Sequence, residues 1–448
     1  MDLSTIDFIL IAVYFAVLLL IGYFVSRRES KEEFLISGRK LGSLSTMATI
    51  NASKTGSVLM IFVAITYLWG FTAIWYFIGM VLGVLVFLPF ALKLKENSKK
   101  RFYTLADYFK FNYGKKSAVL ASLITIIIMF GFLILNLIAG TKIFLFFTGW
   151  PFWLCSVIMI GIVVVYLLLG GFKAVVKTDI IQYSAMLFIL IVLAVVLFNC
   201  SLIPFSEWGI FSADIFTMVG FFIIGLLFPF AMPDMWQRVY SSRDTKSLRN
   251  GILASAVVYA VFAFLLSLVA LTIKIKFPLI DPDLALIHGF GALLPAGLLG
   301  LSVVLLFSAI MSSIDTYIFT ASSAIVQDFF KKNVVNNIRK VIFLLSILAV
   351  IIAILIQSLV LGSYLVVAFI IVLAVVVIST WIKKNITQRT LLFEFIFGLI
   401  GLIFFLGYSL NRGYIGSMIV MVSLGCSILG LIVGGIYEKL LQIFQGKS

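Results

Sequence analysis

A chain of 448 residues that is 63% hydrophobic and only 11% charged is not a soluble globular domain, in which about a quarter of residues are charged. Its net charge of +15 would suit a nucleic-acid partner if the basic residues formed one patch, but they are scattered among short polar breaks. Cys155, Cys200 and Cys426 have no spacing that suggests a disulfide framework or a metal site.

A membrane-spanning helix takes about 20 apolar residues, and runs of that size fill the chain. The first is preceded by Asp2 and Asp7 and followed by Arg27 and Arg28, the reverse of a cleavable leader, so it is read as a retained helix. Spans are expected near 6–25, 44–69, 71–92, 118–149, 151–169, 174–200 and 215–235. Six more follow near 251–273, 294–326, 341–361, 364–380, 391–408 and 415–437, giving thirteen.

Of the 33 Lys and Arg residues, 28 fall in one alternate set of loops (26–40, 93–116, 170–178, 237–250, 327–340, 382–390, 438–448). Only Lys142, Lys274, Lys276 and Arg412 fall in the other, and Lys54 alone lies within a span. Basic residues concentrate on the cytoplasmic side of membrane proteins, so the N-terminus is expected outside and the C-terminus in the cytoplasm. Trp69, Trp150, Trp153, Trp208, Trp236 and Trp381 lie near span ends, as interfacial indoles do. No loop is large enough for a separate folded domain, which argues against a sensor.

Ionisable groups inside a membrane cost several kcal/mol, so polar residues within spans point toward function. In chain order, Ala48-Thr49-Ile50-Asn51-Ala52-Ser53-Lys54-Thr55-Gly56-Ser57 is a polar stretch in mid-span. A broken helix uses such a stretch, its unwound carbonyls facing a cation and its amides an anion.

Gly170-Gly171 turns the chain before Thr178 and Asp179, with Asp179 about one turn inside the helix. This carboxylate is either a helix N-terminal acid favoured by the macrodipole or a functional group. Gly225 and Phe228-Pro229-Phe230-Ala231-Met232-Pro233 mark either a kink or a second break.

Ser308, Ser312, Ser313 and Asp315 then place hydroxyls and a carboxylate in mid-span, with Ala309 one turn before the serine pair. They form either a helix-packing seam or part of an oxygen cage for an alkali cation. Five spans separate the two interrupted segments, as two inverted repeats that each begin with a discontinuous helix would require.

Ser37-Gly38-Arg39-Lys40-Leu41-Gly42, Thr104-Leu105-Ala106-Asp107-Tyr108-Phe109, residues 170–182, Pro233 with Gln237-Arg238, and Ala309 to Thr316 occur in that order. Together they resemble the sodium:solute symporter family, whose members include bacterial proline, pantothenate, sialic acid and sugar symporters. The resemblance runs from about Ser37 to Lys332. It implies an all-α polytopic membrane protein with a LeuT-like core of five plus five inverted-repeat helices, one helix before and two after. The expected divisions are 1–43, 44–200, 201–380 and 381–448.

By the same resemblance, carbonyls of Ala52, Thr55 and Ala309 and hydroxyls of Ser312 and Ser313 would bind Na+, the coupling ion. Asp179 matches the family's acid on the cytoplasmic side of that site, and Asp315 an acid common just after the serine pair. Gly225 and Phe228 match positions that line or gate the substrate cavity, with Gly56 and Ser57 close to the solute.

Lys54 departs from the pattern, where relatives carry an uncharged residue or an acid. Three readings follow: it binds a substrate carboxylate, it titrates and couples protons, or an acid partners it structurally. The first is favoured.

The expected function is sodium-driven import of a small organic solute, carboxylate-bearing, such as an amino acid or monocarboxylate, across the inner cell membrane. The alternatives are proton-coupled or sodium-independent transport or exchange through Lys54, and a sensory or channel module. The expected partners are the solute and the lipid bilayer, with neither nucleic acid nor an obligate protein partner. No enzyme is expected, because the sole histidine, His288, is read as a solvated outer-loop residue and no nucleophile–base pair is visible.

Overall fold

The computed structural model describes residues 4–25, 31–97, 102–200, 203–295, 297–330, 333–383, 385–412 and 418–444. Asp2, Arg27 and Arg28 lie outside them. Among the described residues all regular elements are helices, apart from one isolated bridge between Leu41 and Ser242. Ten helical stretches are long and apolar enough to cross a membrane, or eleven with the bent pair Ile215–Ala231 and Pro233–Ser241. Val58–Asn97 counts among them as one stretch although it turns at Gly70, where φ is 64°.

The chain opens with α1 (Thr5–Val25) and the short α2 (Lys31–Ile36), followed by α3 (Ser43–Thr55) and α4 (Val58–Trp69). Next come α5 (Ile74–Asn97), α6 (Leu105–Tyr113), α7 (Lys115–Thr148) and α8 (Phe152–Cys200). Gly171 divides α8 with a backbone (φ 50°, ψ −148°) that a Cβ would strain, and an added Cβ would lie 2.3 Å from the Phe34 ring. The helix resumes at Gly171, so Asp179 lies about 12 Å or two turns inside it at 1.5 Å per residue, one turn deeper than expected. It is therefore not a first-turn acid.

The second half runs through α9 (Ile215–Ala231), α10 (Pro233–Ser241), α11 (Thr245–Lys276) and α12 (Ala285–Leu293). It continues with α13 (Leu298–Ile325), α14 (Val334–Ile356), α15 (Leu359–Ile382), α16 (Gln388–Arg412) and α17 (Met418–Phe444). α13 is buried along nearly its whole length and packs on α3, α7 and α8, which makes it the central helix. α5 and α9 cross at backbone contact: a Cβ on Gly79, Gly83 or Gly225 would fall 2.1–2.4 Å from a carbonyl of the facing helix.

Both interruptions read from the sequence are present. α3 stops at Gly56 (φ −27°, ψ −115°), and α9 stops at the extended Met232 (φ −83°, ψ 107°), beyond which Pro233 opens α10 at a 45° bend.

Three expectations are corrected. Trp236 is fully buried against Phe90 and Tyr108, so it is not an interfacial indole. Arg238, assigned to the basic loop 237–250, is a fully buried member of α10. His288 belongs to α12, its ring 5.3 Å from that of Phe277, and is not in a solvated loop.

Candidate functional site

The polar residues of α3 are buried because α8, α10, α11 and α13 surround the helix. The hydroxyl of Ser312 donates to the carbonyls of Ala52 (3.1 Å) and Ala309 (2.9 Å). Thr55 also turns its hydroxyl onto the Ala52 carbonyl, at 2.9 Å. Oxygens of α3 and α13 thus meet beside the break. Ser313 bridges the same helices: its Oγ accepts from Gly56 N–H (3.1 Å) and donates to the Ser53 carbonyl (3.4 Å), which also accepts from the Tyr317 hydroxyl at 2.6 Å.

Gly56 is required for this approach. A Cβ there would fall 2.2 Å from both Asn136 Oδ1 and Ser313 Oγ. The next amide, Ser57 N–H, donates to Asn136 Oδ1 at 2.7 Å. Both amides of the unwound stretch are therefore held by the protein.

One side of this contact carries five buried ionisable groups. Arg238 lies at the centre, donating to Asp179 Oδ2 (3.3 Å), Thr316 Oγ1 (2.9 Å), Thr49 Oγ1 (3.2 Å) and the Asp234 carbonyl (3.3 Å), with its plane over Phe172. Its Nη1 also lies 3.8 Å from Asp234 Oδ2. Asp179 Oδ2 accepts from Thr49 at 2.5 Å, and Asp315 Oδ2 accepts from Tyr166 (2.8 Å) and Thr178 (3.4 Å). No hydrogen-bond donor among the described residues reaches Oδ1 of Asp179 or Oδ1 of Asp315.

Lys54 turns toward α10, its ammonium 2.5 Å from both oxygens of Asp234 and 5.5 Å from the centre of the Phe228 ring. Of the three readings, the geometry favours the acid partner. Asp234 was missed in the sequence because it stands just beyond the Pro233 break. The signal was arithmetic: an ammonium in mid-span needs an acid, and few acids lie within spans.

On the other side of the break lies an apolar cavity of about 70 Å³, lined by Val58, Phe62, Tyr76, Phe132, Phe228 and Tyr364 among others. Phe228 lines this cavity. Gly225 does not line it: it is sealed in the α5–α9 crossing, while its neighbours Phe221 and Ile224 reach the cavity.

Two discontinuous helices, a hydroxyl-bearing third helix and an apolar cavity beside their breaks define a secondary transporter embedded in the membrane. The profile of the sodium:solute symporter family matches residues 34–201 and 209–406, and the chain belongs to that family. It is a transporter and not an enzyme.

A sodium/proline symporter of Staphylococcus aureus (strain Newman) is 27% identical over 352 residues, which cover 72% of this chain and 68% of that one. Among solved structures, a Na+-coupled sialic acid symporter in a substrate-bound outward-open state has a TM-score of 0.81 at 17% identity, covering 97% of this chain and 98% of that one. A nucleobase-cation-symport-1 family transporter in a closed conformation has a TM-score of 0.63 at 13% identity, covering 90% and 94%.

Proposed function

We propose that this chain is a sodium-coupled symporter that imports a small organic solute. The carrying observation is the meeting of Ala52 O and Ala309 O, from two helices, on the Ser312 hydroxyl, each carbonyl within 3.1 Å of Ser312 Oγ. Hard oxygens of this kind suit an alkali cation. With Thr55, Ser313 and Asp179 they make up the proposed sodium-binding set.

Charge supports the same reading. With all three acids ionised, Asp179, Asp234 and Asp315 would set three negative charges against the two positive ones of Lys54 and Arg238. Ionised in a poorly solvated interior, this set lacks one positive charge. One monovalent cation supplies it, and the unpartnered oxygens of Asp179 and Asp315 suit that role. A proton would satisfy the same balance, which keeps proton coupling as the second reading.

The solute would occupy the cavity beside the break. Its carboxylate would face the N-terminal end of α4 near Gly56, Ser57 and Val58, where the helix dipole is positive. Its apolar body would lie against Phe62, Phe132 and Phe228. The sodium/proline symporter among the relatives is consistent with an amino acid or monocarboxylate. Asp315, tied to α8 through Tyr166 and Thr178, would position α13 against α8.

In the proposed cycle, sodium ties α3 to α13, solute binds, the core rearranges, and Asp179 draws sodium toward the cytoplasm. The core comprises 44–200 and 201–380 as inverted repeats within thirteen spans, preceded by 1–43 and followed by 381–448.

Thermal-shift screening of amino acids, carboxylates and sugars, with and without sodium, identifies the solute. Uptake of that solute into proteoliposomes then tests the coupling. It is expected to require sodium and to fall by at least about tenfold in Ser312→Ala/Ser313→Ala, the loss of roughly 1.4 kcal/mol of ion binding. Uptake indifferent to sodium but driven by a proton gradient would replace this reading with the second.

A further inference from the structure

We propose that the Lys54 ammonium is a cation built into the chain, fixed on Asp234 at a place that would otherwise take a second sodium ion. The proposal builds on the sodium reading above and concerns how many free ions the site requires.

Asp234 is fully buried at the start of α10 and presents both carboxylate oxygens to Lys54. Ser53 adds its hydroxyl, 2.9 Å from Asp234 Oδ2. A bidentate carboxylate and a neighbouring hydroxyl are ligands that a hard alkali cation takes. The Phe228 ring lies 5.5 Å from the ammonium and presents a π-face to the positive charge. The pocket thus has the chemistry of a cation site, and the chain supplies the cation itself.

Position supports this assignment over a substrate role. Lys54 lines none of the solute cavity, which begins at Val58 beyond the break. Ser53 and Ala52 are adjacent, so the tethered charge and the proposed sodium oxygens share one turn of α3. With Lys54 charged and the three acids ionised, the five-member set lacks one positive charge. With Lys54 neutral it would lack two, and the second would be needed at Asp234.

The test counts ions bound by the full-length chain, purified in detergent, using radioactive sodium with choline as the replacement cation. Wild type is expected to bind one sodium per chain and Lys54→Met two. Lys54→Met/Asp234→Asn is expected to return to one, and Lys54→Arg to stay at one. A Lys54→Met protein that binds no more sodium than wild type overturns the proposal.

The two readings fail separately. If wild type binds none and Lys54→Met binds one, the tethered cation stands and sodium coupling falls. If both bind one, sodium coupling stands and the tethered cation falls. If Lys54→Met folds only when sodium is present, the proposal is supported. If it fails at every sodium concentration, whether or not the double variant folds, sodium cannot replace the ammonium and the proposal is overturned.

Discussion

Arg238 is fully buried. Its four hydrogen bonds reach α3, α8, α13 and its own helix, and all its partners are buried. Replacing it with a neutral side chain leaves Asp179 charged and unpaired, which costs about 3–5 kcal/mol in buried pairs. Arg238→Gln is therefore expected to lose roughly that much stability in denaturant unfolding of the purified protein. Adding Asp179→Asn is expected to restore much of the loss, because the orphaned charge is then gone. Equal losses in the single and double variants would show that shape, not charge, sets the effect. At this scale the sequence revealed Lys54, Asp179 and Asp315, since a charge in an apolar run is conspicuous. It hid Asp234 behind a proline. It also hid Glu394, a fully buried acid of α16 that accepts from Ser379 at 2.8 Å, because it stands near the start of that helix, beside the basic loop 382–390, where an acid reads as an end-of-span residue.

The ends of α10 show how one element is held. Its C-terminal carbonyls carry partial negative charge, and two cations converge on them. Arg39 donates to the carbonyls of Tyr240 (3.3 Å) and Phe102 (3.1 Å), while Lys95 donates to those of Tyr240 and Ser242. Leu41 pairs with the same segment through backbone bonds to Ser241 and Arg243. The Ser37-Gly38-Arg39 bend that places Arg39 has positive φ at all three residues, a conformation that tertiary contacts must sustain. Arg39→Ala/Lys95→Ala is expected to favour opening on this side. In a background where Cys155, Cys200 and Cys426 are serine, Ser241→Cys should react with a membrane-impermeant thiol reagent in inside-out vesicles about tenfold faster, a shift of roughly 1.4 kcal/mol. Unchanged labelling would mean that the clamp does not seal the buried α10. The sequence motif was visible, but its target was not, since Arg39 and Tyr240 are brought together only by folding. Thr104 and Asp107 were likewise visible as a motif, and the structure gives the reason: they form a reciprocal cap on α6, with Thr104 also donating to Asp328.

Across the whole molecule, orientation depends on how the basic residues divide between the two sets of loops. Removing Arg238 from the loop tally leaves the asymmetry intact, since the other basic loops far outnumber Lys142, Lys274, Lys276 and Arg412. A fluorescent protein fused to the C-terminus is expected to fluoresce and to resist external protease in intact cells. Cleavage from outside would reverse the orientation. The membrane character and the interruptions near Gly56 and Pro233 were legible because lipid imposes a strong contrast between apolar and polar segments. The short α2, α6 and α12 were not, since amphipathic pieces at the ends of spans lack that contrast.

The glycine crossing has one further consequence. α5 and α9 touch backbone to backbone at Gly79, Gly83 and Gly225, leaving no side-chain cushion to deform, whereas α9 meets α10 through a single extended residue, Met232. A stiff beam thus ends in a one-residue joint. Pro233 confines Met232 to extended torsions, so this joint is a set 45° corner in the backbone rather than a free hinge.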